Sequence, residues 1–185
     1  MIDRADLLAT LDRAAAREVA IISAPAGSGK TSLLRAWADG PGQQRRLAVV
    51  QVRRDQLDAQ DFWLALLDAV RQASGTAGGA EPSAATPDFN APAMADRVLS
   101  ELAGARGDIT LIIDDLHELN SPETLGQLTS LLTHLPDGAH AMVTTRRDLR
   151  LGLHQLRLAG ELAEIRAADL QFNERETRED RKSVV

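Results

Sequence analysis

Ala24-Pro25-Ala26-Gly27-Ser28-Gly29-Lys30-Thr31, arriving directly behind the apolar run Val19-Ala20-Ile21-Ile22, decides the fold. A buried strand that empties into small residues and then a helix-favouring segment is the arrangement of a phosphate-binding loop. Small residues let successive backbone N–H groups turn inward around an anion, and the helix behind them aims its positive end at the same point. Ala26, Gly27, Ser28 and Gly29 form the cradle, with Ser32 just inside the helix. Lys30 is placed to reach β- and γ-phosphates, and the Thr31 hydroxyl to ligate Mg²⁺. The string departs from G-x-x-x-x-G-K-[ST] at its first position, where Ala24 stands in place of Gly. A methyl group is the smallest addition there, and Gly27 and Gly29 remain where the backbone must come closest to phosphate.

The 185 residues are 44% hydrophobic, enough for one sizeable core and a single domain. Cysteine is absent, which excludes a disulfide framework, a thiolate zinc site and a thiol nucleophile. Asp3, Arg4 and Asp6 interrupt the N-terminus where a signal peptide would need an apolar run, and no uncharged apolar stretch approaches membrane-spanning length. A cytoplasmic protein with no membrane partner is expected. A formal net charge of -6 and an aromatic content of 3% argue against this chain gripping nucleic acid by its phosphates or stacking its bases. His117, His134, His140 and His154 show no metal-ligand spacing.

Working outward, short apolar runs alternate with helical patterns. The runs are Val19–Ser23, Leu47–Val52, Ile109–Ile113, Ala141–Thr145 and Leu162–Ile165, mostly continuous, as parallel strands covered on both faces require. Thr31 to Asp39 reads as a helix stopped by Gly40-Pro41-Gly42. Asp61 to Ala73 places Phe62, Leu66, Ala69 and Val70 on one helical face. Ser121 is a candidate N-cap before Pro122, followed by the stripe Leu125, Leu128, Leu131 and Leu132. Ser74 to Pro92 is rich in Gly, Ala, Ser, Thr and Pro and reads as a flexible loop inside the domain. The fold class expected is α/β of the P-loop NTPase type, a five-stranded parallel sheet with helices on both faces, over residues 1–172.

A phosphate loop needs an acid for Mg²⁺ and a group to position the attacking water. Ile109-Thr110-Leu111-Ile112-Ile113-Asp114-Asp115 offers both, because a buried strand releases its terminal carboxylates at the sheet edge where ligands bind. Asp114 is the candidate for the metal and Asp115 for the lytic water; the alternative is that the pair starts a turn and caps the next helix. The run Val143-Thr144-Thr145-Arg146-Arg147 brings an arginine to a neighbouring tip, where it could meet a γ-phosphate, or else be a solvated surface group. Arg146 is favoured over Arg147 because it follows the strand directly.

With these motifs in order, the chain resembles the AAA-like ATPase domain of STAND-class signalling NTPases, in particular that of the large LuxR-type transcription regulators of the maltose-activator kind. The resemblance spans about Ile2 to Thr177 and rests on Ser23 to Thr31, Asp61-Phe62-Trp63, Asp114-Asp115-Leu116-His117, Thr144-Thr145-Arg146 and Ile165 to Phe172. It implies ATP with Mg²⁺, an ATP/ADP switch, self-association of the ATP form, and DNA contact only through a C-terminal helix-turn-helix. It places the strand before Lys30 between the last strand and the Thr-Thr-Arg strand, and Ile2-Asp3-Arg4 beside the base. It also implies that residues 173–179 begin a lid helix and that the chain stops short of the regulator's remaining domains. Asp180-Arg181-Lys182-Ser183-Val184-Val185 reads as a tail foreign to the domain. A small-molecule kinase sharing the loop, and a non-catalytic scaffold module, are the rival readings.

Overall fold

The computed structural model describes residues 4–40, 45–53, 59–75, 89–148 and 151–170. The first half holds α1 (Arg4–Ala15), β1 (Val19–Ser23), α2 (Lys30–Ala38), β2 (Arg46–Gln51), α3 (Ala59–Ser74) and α4 (Ala91–Gly104). Then come β3 (Ile109–Asp114), a 3-10 turn (Leu116–Glu118), α5 (Pro122–Leu132), β4 (Ala139–Thr145), α6 (His154–Ala159), β5 (Leu162–Arg166) and α7 (Ala167–Leu170). The lid start at 173–179 and the tail at 180–185 lie outside the described residues, as do Ile2 and Asp3.

All strand pairings are parallel, in the order β2-β3-β4-β1-β5. Parallel strands need covered faces, and the side chains divide accordingly. Along β3, Ile109, Leu111 and Ile113 enter one core with Val19 and Val143, packed under α3, α4 and α5. Ile112 enters the opposite core with Ala20, Ile22 and Met142, against α1 and α2. Every residue of β3 is buried, whereas edge strand β2 leaves Val49 56% exposed. On α3, Trp63, Leu66 and Leu67 are fully buried, each contributing roughly 1.5–3 kcal/mol through removal from water.

The loop expected over 74–92 is shorter than composition suggests. Ser74 ends α3, while Ala91 and Pro92 open α4. Asn90 explains this: its side-chain oxygen accepts the Ala93 N–H at 3.1 Å, and proline is tolerated in a first turn, whose N–H groups lack helical partners. Residues 76–88 of the expected loop lie outside the described residues. Ser121 caps α5 as its sequence indicates, its hydroxyl accepting the Thr124 N–H at 3.2 Å. α1 and α6 were not evident from periodicity, since α1 breaks its apolar stripe with charges and α6 is a six-residue helix.

Candidate functional site

The parallel register sets Ser23 of β1 beside Thr145 of β4 and Arg166 of β5, so the C-terminal strand ends form one rim. From it the chain turns through Gly27 and Gly29, both at φ +78°, a left-handed conformation that glycine adopts without steric cost. A side chain on either glycine would point into open space, the space a polyphosphate needs beside the loop. Lys30 is 6% exposed and its Nζ donates to the carbonyls of Ala24 at 2.5 Å and Pro25 at 2.8 Å, and to Ser28 Oγ at 3.3 Å. Burial lowers the Lys30 pKa, opposed by the Asp115 and Asp114 carboxylates and assisted by the Arg146 charge.

On the other side of the rim, Thr31 Oγ1 donates to Asp114 Oδ2 at 3.0 Å. The buried Thr144 hydroxyl donates to Asp114 Oδ1 and accepts the Asp115 N–H at 2.9 Å, so one hydroxyl ties the two aspartates together. Asp115 has φ 58°, ψ 39°, the one positive-φ position other than glycine among the described residues. Asp115 makes no side-chain capping bond to the turn that follows, and it lines a cavity together with the loop. Its Oδ1 lies 3.6 Å from Arg146 Nε and 3.8 Å from His117 Nδ1. His117 Nε2 lies 3.2 Å from Glu118 Oε1. Burial lowers the His117 pKa against the pull of those carboxylates, so its ring is neutral at pH 7.

The sequence-derived residues therefore converge. Ala26, Gly27, Gly29, Lys30, Thr31, Ser32, Asp115 and Arg146 line one cavity of about 200 Å³, with Asp114 behind Thr31 and Ser28 beside Lys30. A larger cavity of about 540 Å³ lies at the first turns of α3, α4 and α5, and the one charged group among its lining residues is Glu123. An anion would meet no cation there, whereas the smaller cavity is lined by Lys30 and Arg146. Arg147 does not reach it; its guanidinium donates to the His117 carbonyl at 2.7 Å. Two participants, Thr144 and His117, had no role assigned from sequence. A polar residue inside an otherwise apolar strand was the available signal for Thr144, because a buried hydroxyl must find partners.

These residues fit a nucleotide with Mg²⁺. Mg²⁺ takes one or two carboxylates together with phosphate oxygens and water, and a buried carboxylate already hydrogen-bonded to the loop threonine is such a donor set.

Comparison with known proteins agrees with this geometry. The chain is 30% identical over 178 residues to the HTH-type transcriptional regulator MalT of Cronobacter sakazakii, and 29% identical over 178 residues to MalT of Klebsiella pneumoniae. Each alignment covers 95% of this chain and 19% of the relative, so the chain spans about a fifth of the curated relatives it matches. Among solved structures it resembles a chain of the Drosophila ORC bound to DNA, with TM-score 0.60, 14% identity and 89% of both chains covered. It also resembles Cdc6p from Pyrobaculum aerophilum, with TM-score 0.57, 13% identity, and 89% of this chain and 45% of that one covered. At such identities these structures establish the fold alone. The STAND-like, LuxR-regulator resemblance read from the motifs is borne out by the MalT relatives. With residues 3–144 matching the AAA ATPase domain model, this chain belongs to the AAA ATPase domain family and is a nucleotide-binding module of that kind.

Proposed function

We propose that the chain is the ATP-binding and ATP-hydrolysing switch module of a signal-responsive transcription regulator, working with Mg²⁺. The observation that carries this reading is the hydrogen-bonded path Thr31–Asp114–Thr144–Asp115, which joins the loop through the Asp114 carboxylate to the Asp115 backbone N–H, the Asp115 carboxylate lying beside Arg146. Loop N–H groups and the α2 N-terminus bind the phosphates, and Lys30 exchanges its carbonyl partners for phosphate oxygens. Thr31 and Asp114 would hold Mg²⁺, whose charge neutralises the phosphate oxygens when bound. Asp115 accepts a hydrogen bond from the attacking water and orients it. Arg146 moves between the Asp115 carboxylate and the γ-phosphate, so that the bound nucleotide is registered at the tip of β4.

The regulatory setting is supported by similarity to MalT, a transcriptional regulator by name. In that setting the ATP form self-associates in the cytoplasm, and DNA is contacted through a helix-turn-helix region rather than through this acidic module. Calorimetric titration with ATP, ADP and GTP, with and without Mg²⁺, tests the reading. ATP and ADP should bind, ATP more tightly with Mg²⁺. Absence of nucleotide binding, or transfer of labelled phosphate to a small metabolite instead of water, would overturn it.

A further inference from the structure

The proposed function uses Asp115 and Arg146 and leaves Arg147 without a task. Its geometry is nevertheless specific. Thr145 is fully buried, and its Oγ1 accepts the Arg147 N–H at 3.2 Å while donating to the Arg147 carbonyl at 2.8 Å. That small ring fixes the backbone of Arg147 to the end of β4. From this anchor the Arg147 Nη2 donates to the His117 carbonyl at 2.7 Å, a charge-assisted bond to the turn that follows Asp115.

The turn needs such a partner. Asp115 is left-handed, a conformation uncommon outside glycine that Asp and Asn adopt more readily than other residues and that neighbouring contacts hold in place. Within the turn, Asp115 O accepts the Glu118 N–H and Leu116 O accepts the Leu119 N–H, both at 3.0 Å. The Asp115 N–H is shared between Thr144 Oγ1 on β4 at 2.9 Å and Asp114 Oδ1 at 3.1 Å. The His117 carbonyl is held from β4 by the guanidinium.

We propose that Arg147 is a positioning residue that clamps the Leu116–Glu118 turn to β4 and so holds the Asp115 carboxylate at the angle from which it orients the attacking water. The two consecutive arginines then divide the work: Arg146 addresses the carboxylate, and Arg147 addresses the backbone that carries it. This inference rests on the hydrolytic reading of Asp115, and its test separates the two.

Arg147→Ala and Arg147→Lys would be made in the 185-residue chain. Amide hydrogen exchange over residues 116–119, Mg²⁺-ATP affinity, and steady-state turnover would then be compared with wild type. Arg147→Ala should speed exchange in that segment, leave ATP affinity within about twofold, and lower kcat by roughly tenfold to a hundredfold at little-changed KM, as small misplacements of a positioned group do. Arg147→Lys, which keeps a cationic donor without the fork, should recover part of both effects. Affinity for ADP with Mg²⁺ and aluminium fluoride, a mimic of in-line attack, gives a second measure that needs no turnover. It should weaken at least about tenfold in Arg147→Ala while ADP affinity holds. Unchanged exchange in Arg147→Ala overturns the clamp. Faster exchange with unchanged kcat and unchanged affinity for the mimic overturns the positioning role. If wild type binds no nucleotide, the hydrolytic reading falls and the positioning role falls with it, while the exchange result still decides the clamp.

Discussion

At the scale of the residue, Lys30 holds the most concentrated responsibility. Its Nζ donates to three oxygens of the loop, and in the proposed function its charge meets the nucleotide's phosphates. Lys30→Ala should weaken ATP binding by about a hundredfold or more, because hydrogen bonds to charged groups contribute roughly 1.5–3 kcal/mol each. Isothermal titration measures this directly, and affinity within a few-fold of wild type would remove Lys30 from the phosphate site. The two carboxylates should separate by role. Asn tolerates the left-handed conformation, so Asp115→Asn preserves the backbone at φ 58° while removing the charge. ATP affinity should stay nearly intact and hydrolysis fall by about 10²–10⁴-fold, the usual reach of general acid–base groups. Asp114→Asn should weaken Mg²⁺-dependent binding and spare Mg²⁺-free binding. A loss of affinity in Asp115→Asn as deep as that of Lys30→Ala would show that the roles have been divided wrongly. Both aspartates were legible in the sequence as a carboxylate pair at the end of an apolar run. The direction in which Asp115 points was not, since it depends on a backbone conformation that Thr144 and the following turn impose.

At the scale of the element, strands were easier to find than helices. The core strands β1, β3 and β4 are near-continuous apolar runs because both faces are covered, and that requirement is written into most of their positions. The start of α4 was obscured because Ala91 and Pro92 continue the small-residue composition of the preceding stretch. Its signal was a single residue, Asn90, whose side chain accepts the Ala93 N–H. Asn90→Ala and Ser121→Ala should each lower stability by about 1 kcal/mol, as loss of an N-cap typically does. Urea unfolding would report it as a lower midpoint at unchanged slope. An unaltered midpoint for Asn90→Ala would mean that packing of α4 alone sets its first turn.

At the scale of the whole molecule, the buried His117 ties stability to pH. Desolvation holds its pKa below the ordinary value of about 6.5, and Arg146 and Arg147 reinforce this against Asp115 and Glu118. As pH falls below about 6.5 the unfolded chain takes up this proton before the folded one does, so the His117 contribution must make stability fall with falling pH in that range. His117→Gln should flatten the dependence of the unfolding midpoint between about pH 7 and pH 5 relative to wild type. An identical pH slope in the variant would show that His117 protonates as readily in the folded chain as in the unfolded one. The parallel sheet itself was legible from alternating apolar runs and helical stretches. The position of β1 between β4 and β5 came from family resemblance, because composition does not say which strands become neighbours.

What the sequence determined by itself is local. The loop from Ala24 to Thr31, the buried run behind it and the paired carboxylates at the end of β3 are all set by residues adjacent along the chain. Small size, apolarity and charge act over a few bonds there whatever the distant chain does. What only the tertiary structure decided is the connection among these parts. Thr31 meets Asp114 across 83 residues, and Thr144 meets both aspartates from another strand. Arg146 and Arg147, neighbours with the same side chain, part company to a carboxylate and a carbonyl. The physical reason is that parallel strands become neighbours only through long crossovers, so the contacts at their tips are non-local and depend on register and strand order.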